Sequence, residues 1–230
     1  MKNIKLIGFD ADDTLWQNET FYRGTEKEFC ALLAAYMPSA ELEKELFATE
    51  MRNLSAYGFG AKSFVLSMIE TAVRVSGGKV SGDTVQAIVE LGKKLLDSPL
   101  ELLDGVEPVL AELGRNYRLA VVTKGDLLDQ QRKLHKSGVA KYFDHVEILS
   151  DKTELDYKNL FARLGVRPQE FLMVGNSLKS DILPVLGMGS FGVHIPFDVV
   201  WQHERVESDD IRHENFRRIA RISELPALLR

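Results

Sequence analysis

Five short apolar runs punctuate the chain, each bounded by polar residues or glycine: Ile4 to Phe9, Arg118 to Thr123, His145 to Leu149, Glu170 to Gly175 and Ser190 to Ile195. Their length and β-branched content predict buried strands. Between the last four, apolar positions recur at helical spacing over Leu127 to Lys136, Asp156 to Leu164 and Asp181 to Leu186. Strand and helix in alternation predict an α/β fold, a Rossmann-like parallel sheet with helices on both faces. The near-continuous apolar character of the four later strands fits burial from both sides. The first strand breaks the rhythm, because about a hundred residues separate it from the next, far more than a loop. That stretch is helical by its periodicity: Phe21 to Met37, Glu41 to Asn53, Ala61 to Val75 and Asp83 to Leu96, with breaks at Pro38, Tyr57-Gly58-Phe59-Gly60, Gly77-Gly78 and Pro99. The expectation is a core of residues 1–16 and 100–230 with an inserted helical domain of residues 17–99. Its boundaries should fall near Leu15 to Asn18 and Ser98 to Leu103. Residues 203–221 are dense in charges of both signs, which predicts a solvated helix.

Composition narrows the class. The 230 residues carry 29 Lys and Arg against 34 Asp and Glu, a formal charge of −5. That balance argues against a nucleic-acid binder, which shows a basic excess or face. A hydrophobic share of 45% with 27% charged residues is that of a globular chain and not a disordered one. Cys30 is the one cysteine, which excludes an internal disulfide framework and a cysteine-built zinc site. No run approaches the roughly eighteen apolar residues of a membrane span. Met1-Lys2-Asn3-Ile4-Lys5 leads into an apolar run that meets Asp10 without a small-residue cleavage site, so a cytoplasmic protein that is a monomer or homodimer is expected.

Candidate chemistry concentrates at the end of the first run, in Leu6-Ile7-Gly8-Phe9-Asp10-Ala11-Asp12-Asp13-Thr14. In open α/β sheets ligands bind beyond the carboxyl ends of the strands, so Asp10 and Asp12 are delivered to that position. Two unit charges 4 Å apart repel by about 4 kcal/mol at an effective dielectric of 20. Such a cluster persists when a cation holds it, when one member is protonated, or when it is an exposed turn with Asp13 or Thr14 capping the next helix. Three further segments follow in order: Leu119-Ala120-Val121-Val122-Thr123 with Lys124-Gly125, Lys152 with Tyr157 five residues on, and Leu172-Met173-Val174-Gly175-Asn176-Ser177 followed by Asp181.

With its D-x-D-x-T segment and these three successors, the chain resembles the haloacid dehalogenase-like hydrolase superfamily over nearly its whole length, the helical insertion corresponding to a C1-type cap. The resemblance implies a Mg²⁺-dependent phosphatase acting on a small phosphorylated metabolite. Asp10 is then the nucleophile that becomes an aspartyl-phosphate, and Asp12 the acid and base. Thr123 and Lys152 complete the catalytic set. Mg²⁺ falls to Asp10, the Asp12 carbonyl, Asn176 and Asp181, and substrate contacts to Thr14, Thr123, Lys124 and Lys152. Two positions depart from the pattern. Asn176 stands where an acid is usual and weakens the charge of the metal site; Asp13 replaces a common glycine and either adds an acid or caps the outgoing chain. An acid at Asp12 favours phosphoryl transfer over dehalogenation, since halide departure needs no proton. The alternatives are a sugar phosphomutase of the β-phosphoglucomutase type and a non-catalytic phosphate-ligand sensor.

The remaining segments carry less. Ser55 to Lys62 reads either as a cap loop, with Tyr57 and Lys62 contacting substrate, or as a turn whose aromatics join the helical core. Gly187-Met188-Gly189-Ser190-Phe191-Gly192 fits G-x-G-x-x-G but enters a strand, the reverse of a dinucleotide fingerprint. Gly77-Gly78-Lys79 lacks the rest of a P-loop. His135, His145, His194, His203 and His213 have no metal-ligand spacing. Trp201-Gln202-His203-Glu204 reads as active-site rim or as packing, and Cys30 as a small buried hydrophobe.

Overall fold

The computed structural model describes residues 1, 3–207 and 210–230. In chain order the elements are β1 (Leu6–Phe9), α1 (Glu19–Leu32), α2 (Ser39–Tyr57), α3 (Ala61–Val75), α4 (Gly82–Leu96), α5 (Val106–Leu113), β2 (Arg118–Lys124), α6 (Leu127–Lys136), β3 (His145–Leu149), α7 (Glu154–Leu164), β4 (Phe171–Gly175), α8 (Leu183–Gly187), β5 (Phe191–His194), β6 (Phe216–Arg218) and α9 (Leu225–Leu229). The chain divides into two compact units. One comprises Met1–Glu19, Leu100–Lys124 and Gln130–Arg230; the other comprises Thr20–Pro99 and Gly125–Asp129.

The first unit is built on one parallel sheet of order β3-β2-β1-β4-β5-β6. Period-two alternation sorts each central strand between two cores. Ile7, Phe9, Leu119, Val121, Leu172 and Val174 pack against α5, α9 and Leu134 of α6 on one face. Leu6, Ala120, Val122, Phe171 and Met173 pack on the other against Tyr157, Leu160 and Phe161 of α7 and Val185 of α8. Each fully buried Leu, Ile or Phe contributes roughly 2 kcal/mol. Gly8 is needed for this packing, because a Cβ there would lie 2.6 Å from the Phe171 ring. The chain leaves and re-enters the unit through a paired stem. Leu103 N–H donates to Leu15 O at 2.9 Å, Gln17 N–H to Glu101 O at 3.3 Å, and Trp16 bridges Leu102 in antiparallel sense.

The second unit packs α1 to α4 around Phe29, Leu33, Leu42, Leu46, Met68, Ile88 and Leu95, with Cys30 buried among them. A Cβ on Gly92 would lie 2.2 Å from Val65, so α3 and α4 approach where glycine permits it. A polar seam joins α2 to α3: Thr71 donates to Thr49 at 3.0 Å and Asn53 to Ser67 at 3.1 Å.

Several expectations are corrected. Among the described residues the sheet has six strands, not five, and β3 is an edge strand with partly exposed residues instead of a doubly buried one. α1 ends at Leu32, short of Met37, and α2 runs on to Tyr57. A π-helical turn, Leu178–Ile182, precedes the brief α8 where one helix from Asp181 was expected. Residues 203–221 form no solvated helix among their described members: one 3-10 turn at Gln202–Glu204 is followed by irregular chain and β6. Of that expectation, positions 208–209 lie outside the described residues. Among the described residues no helix is long and apolar enough to cross a membrane.

Candidate active site

β1 runs between β2 and β4, and the Asp10 N–H extends its ladder by donating to Val174 O at 2.9 Å. Asp10 is thereby set at the strand tip, 7% exposed. Lys152, immediately before the cap residue Thr153 of α7, donates to Asp10 Oδ1 at 2.5 Å and to Asp181 Oδ1 at 2.6 Å. One buried ammonium therefore serves two buried carboxylates. Burial pushes the Asp10 carboxyl up to about 7, against the pull of Lys152 and with a further upward push from Asp181. Burial works against the charge of Lys152, but Asp10 and Asp181 outweigh it and hold the ammonium protonated above its ordinary range. The second oxygen of Asp181 accepts from Ser177 N–H at 2.9 Å. Gly175 makes room for this carboxylate, since a Cβ there would lie 2.2 Å from Asp181 Oδ2.

On the other side of Asp10, Thr14 Oγ1 donates to Oδ2 at 3.2 Å. The Asn176 amide terminus stands 3.2 Å from each of Asp10 Oδ2, the Asp12 carbonyl and Thr14 Oγ1; with its nitrogen inward it donates to them. Rotated so that its oxygen faces inward, the amide joins Asp10 Oδ2 and the Asp12 carbonyl in an oxygen-only set, the donor chemistry of a hard divalent cation. The residues present thus fit such an ion, with one formal charge from Asp10. Among the described residues no cluster of three His, Cys, Asp or Glu side chains has metal-holding geometry.

The Asp12 carboxylate, unlike its carbonyl, is engaged by three other donors. Trp16 Nε1 and Lys133 Nζ reach Oδ1 at 2.7 Å and 2.6 Å, and Gln130 Nε2 reaches Oδ2 at 2.9 Å. Gln130 also lies 3.1 Å from Thr123 Oγ1, linking the end of β2 to Asp12. Asp13 takes the left-handed conformation (φ 61°) and turns away. It accepts from Asn18 N–H at 2.8 Å and Glu19 N–H at 3.0 Å, capping the start of α1. Burial pushes its carboxyl up to about 7, although the Asn18 N–H pulls the other way.

Lys124, at the end of β2, donates to Ser180 Oγ at 2.9 Å and to Glu204 Oε1 at 2.6 Å. Glu204 Oε2 also accepts from Ser180 Oγ at 2.6 Å and from Ser177 Oγ. Burial alone would raise this carboxyl, but the Lys124 ammonium and the two hydroxyls bring it down to about 2. Tyr157 OH, fully buried, donates to Ser180 O at 3.1 Å.

Of the residues singled out by the sequence, Asp10, Asp12, Thr14, Thr123, Lys124, Lys152, Asn176 and Asp181 all belong to the sheet unit. Asp181 accepts from Lys152 and from the Ser177 N–H. Tyr57 and Lys62 belong to the helical unit. Tyr57 is 53% exposed, and Lys62 is paired with Asp126 at 3.0 Å. The sequence reading missed Trp16, Gln130, Lys133, Ser177 and Ser180, and left Glu204 without a role. A signal existed for two of them: Gln130 and Lys133 are three apart on the helix that leaves β2, so they share a face.

A model of haloacid dehalogenase-like hydrolases matches residues 4–189. The chain is 26% identical over 201 residues to N-acylneuraminate-9-phosphatase of Mus musculus, covering 82% of this chain and 81% of that protein. It is 24% identical over 198 residues to glyceraldehyde 3-phosphate phosphatase of Methanothermobacter thermautotrophicus, covering 81% and 83%. Among solved structures, a haloacid dehalogenase-like family hydrolase from Xanthomonas campestris matches with a TM-score of 0.88 and 35% identity, over 99% of this chain and 91% of that one. Sheet order, the acid cluster at the tip of β1 and these likenesses agree: the chain is an enzyme of the haloacid dehalogenase-like hydrolase family.

Proposed function

We propose that the protein is a Mg²⁺-dependent phosphatase that hydrolyses a small phosphorylated metabolite through an aspartyl-phosphate on Asp10. The observation that carries the reading is the pairing of a buried strand-tip carboxylate, Asp10, with a second carboxylate two residues on whose side chain faces elsewhere. One acid is thereby kept for attack and the other for proton transfer. Both curated relatives described above are named phosphatases.

In the first step an Asp10 oxygen forms a bond to phosphorus while the ester P–O bond breaks. Asp12, entering the step protonated and turned from Lys133 toward the leaving group, gives that proton to the departing oxygen. In the second step water attacks the same phosphorus, Asp12 takes the water's proton, and the Asp10 carboxylate is released with inorganic phosphate. Lys152 holds the Asp10 oxygen in place and balances charge. Thr14 and Thr123 offer hydroxyls to the phosphoryl oxygens, and Lys124 its ammonium. Asp10, the Asp12 carbonyl and Asn176 would hold Mg²⁺, with Asp181 contributing directly or through water, and the bound ion would supply screening between the anionic nucleophile and the anionic phosphate. The helical unit acts as a C1-type cap that selects the substrate, with Tyr57 and, once released from Asp126, Lys62 as its contacts.

The direct test is release of phosphate from an aryl phosphate with Mg²⁺ and with EDTA. Turnover is expected only with the metal, and turnover indifferent to chelation would refute the reading. A second expectation concerns Asp12. General acid catalysis is worth roughly 10²–10⁴-fold, so Asp12→Asn should lower kcat/KM for alkyl phosphates by about 10³. Aryl phosphates, whose leaving group needs little protonation, should lose far less and show a burst of the phenol before a slow second step. Equal losses on both substrates, measured by stopped flow, would contradict the acid role.

A further inference from the structure

Asn176, read above as a cation ligand, lies just before the π-helical turn Leu178–Ile182, and Asp181 lies within it. Such π-turns are rare and recur at functional sites, and side chains tie this one from outside: Tyr157 donates to the Ser180 carbonyl, Lys152 donates to Asp181, and Glu204 takes the hydroxyls of Ser177 and Ser180. Glu204 arrives from the far end of the sequence, on the 3-10 turn that follows β5. Its carboxylate accepts from the hydroxyls of Ser177, the residue that caps the turn, and Ser180, at its middle, and from Lys124 at the tip of β2. Lys124 itself donates to Ser180. Ser177 in turn directs its N–H to Asp181, and Asp181 shares Lys152 with Asp10. A continuous chain of hydrogen bonds thus runs from Glu204 to the strand-tip carboxylate. Glu204 has side-chain exposure of only 12%. A charge so shielded is costly unless it is paired, and Glu204 is paired with Lys124 at 2.6 Å.

We propose that Glu204 is a positioning residue for the cation site: its carboxylate fills a notch formed by Lys124, Ser177 and Ser180, and so fixes the turn that presents Asn176 and Asp181. The role matters more in this chain than in one with an acid at position 176. A neutral amide ligand holds a cation through geometry, with no net charge to compensate for a misplaced oxygen. The inference rests on the Mg²⁺ reading above and extends it to a residue outside the motifs.

The test is calorimetric titration of the metal-free protein with Mg²⁺ alone, comparing wild type with Glu204→Gln, Ser180→Ala and Glu204→Ala. Outer partners of metal ligands change affinity by about 10–100-fold, so Glu204→Gln should weaken Mg²⁺ binding by roughly 10-fold, with Ser180→Ala shifting in the same direction. In turnover assays the loss should appear in the Mg²⁺ half-saturation more than in kcat. Glu204→Ala should regain affinity in added formate, whose carboxylate fits the vacated notch. Unchanged Mg²⁺ affinity in a folded Glu204→Gln protein overturns the proposal; if that variant does not fold, unchanged affinity in Ser180→Ala does so. Wild-type protein that binds Mg²⁺ yet hydrolyses no phosphate ester would refute the phosphatase reading alone, leaving the calorimetric comparison to decide the role of Glu204.

Discussion

Asp10→Asn is expected to abolish turnover and, in EDTA at mildly alkaline pH, to raise the melting temperature. The first effect is loss of the nucleophile, roughly 10⁴-fold or more. The second follows from charge. Asp10 and Asp181 share the single ammonium of Lys152, so the trio carries an excess negative charge in a buried place; an amide at position 10 leaves a balanced pair. The sign of the pH dependence is fixed by the direction of the shift. The folded-state pKa of Asp10 stands at about 7, raised from 3.8. Between those values the folded protein keeps a proton that the unfolded chain has given up. Stability is therefore greatest below that window, falls as pH rises through it, and does not return above it. Asparagine does not titrate, so the variant should lack this part of the fall, while the similar contribution of Asp13 remains in both proteins and cancels in the difference. Mg²⁺ should stabilise the wild type and leave the variant nearly unmoved, because a ligand stabilises only the state that binds it. Matching pH–stability curves for the two proteins in EDTA would contradict this account of Asp10.

Lys152→Met should be the most destabilising single change in the site. It leaves two buried carboxylates facing each other with no cation between them. Breaking a buried pair by removing one partner costs about 3–5 kcal/mol. At about 2–4 °C per kcal/mol for a chain of this size, the melting temperature should fall by roughly 10 °C. Arginine should not restore the site, because its planar fork cannot replace a compact ammonium wedged between two oxygens. Adding Asp181→Asn to Lys152→Met should recover part of the loss, giving a measurable coupling in a double-mutant cycle. Additive losses would mean that Lys152 acts through packing and not through charge.

The sheet was legible wherever a strand is an apolar run. β1, β2, β4 and β5 are buried on both faces and announce themselves, and α3 and α6 begin and end where the periodicity and glycine breaks place them. β6 was hidden because Phe216-Arg217-Arg218 is three residues long with two exposed arginines, so it has neither an apolar run nor a clear alternation. The dense charges around it report exposure, which helix and irregular chain share equally. In the site, Asp10, Thr123 and Asn176 stand out at the ends of apolar strands and Asp12 in the acid cluster beside Asp10. Lys152 is singled out by the resemblance to the family's motif order. Asp13 offered two readings, and its left-handed turn toward Asn18 and Glu19 fulfils the capping one. Lys133 and Gln130 were obscured by the ordinary polar look of α6. Glu204 lay in a segment read as active-site rim or packing, and only the tertiary fold brings position 204 beside positions 124, 177 and 180.

The stem formed by Leu15 to Gln17 against Glu101 to Leu103 has a consequence for how this chain assembles and diverges. Its hydrogen bonds close a loop containing about eighty residues, yet each doubling of loop length adds only about 0.6 kcal/mol of closure entropy. The interruption after β1 is therefore a modest thermodynamic burden on pairing β1 with its distant neighbours. Whatever hangs beyond the stem can lengthen, shrink or be exchanged over generations while the strands carrying Asp10 and Thr123 keep their register.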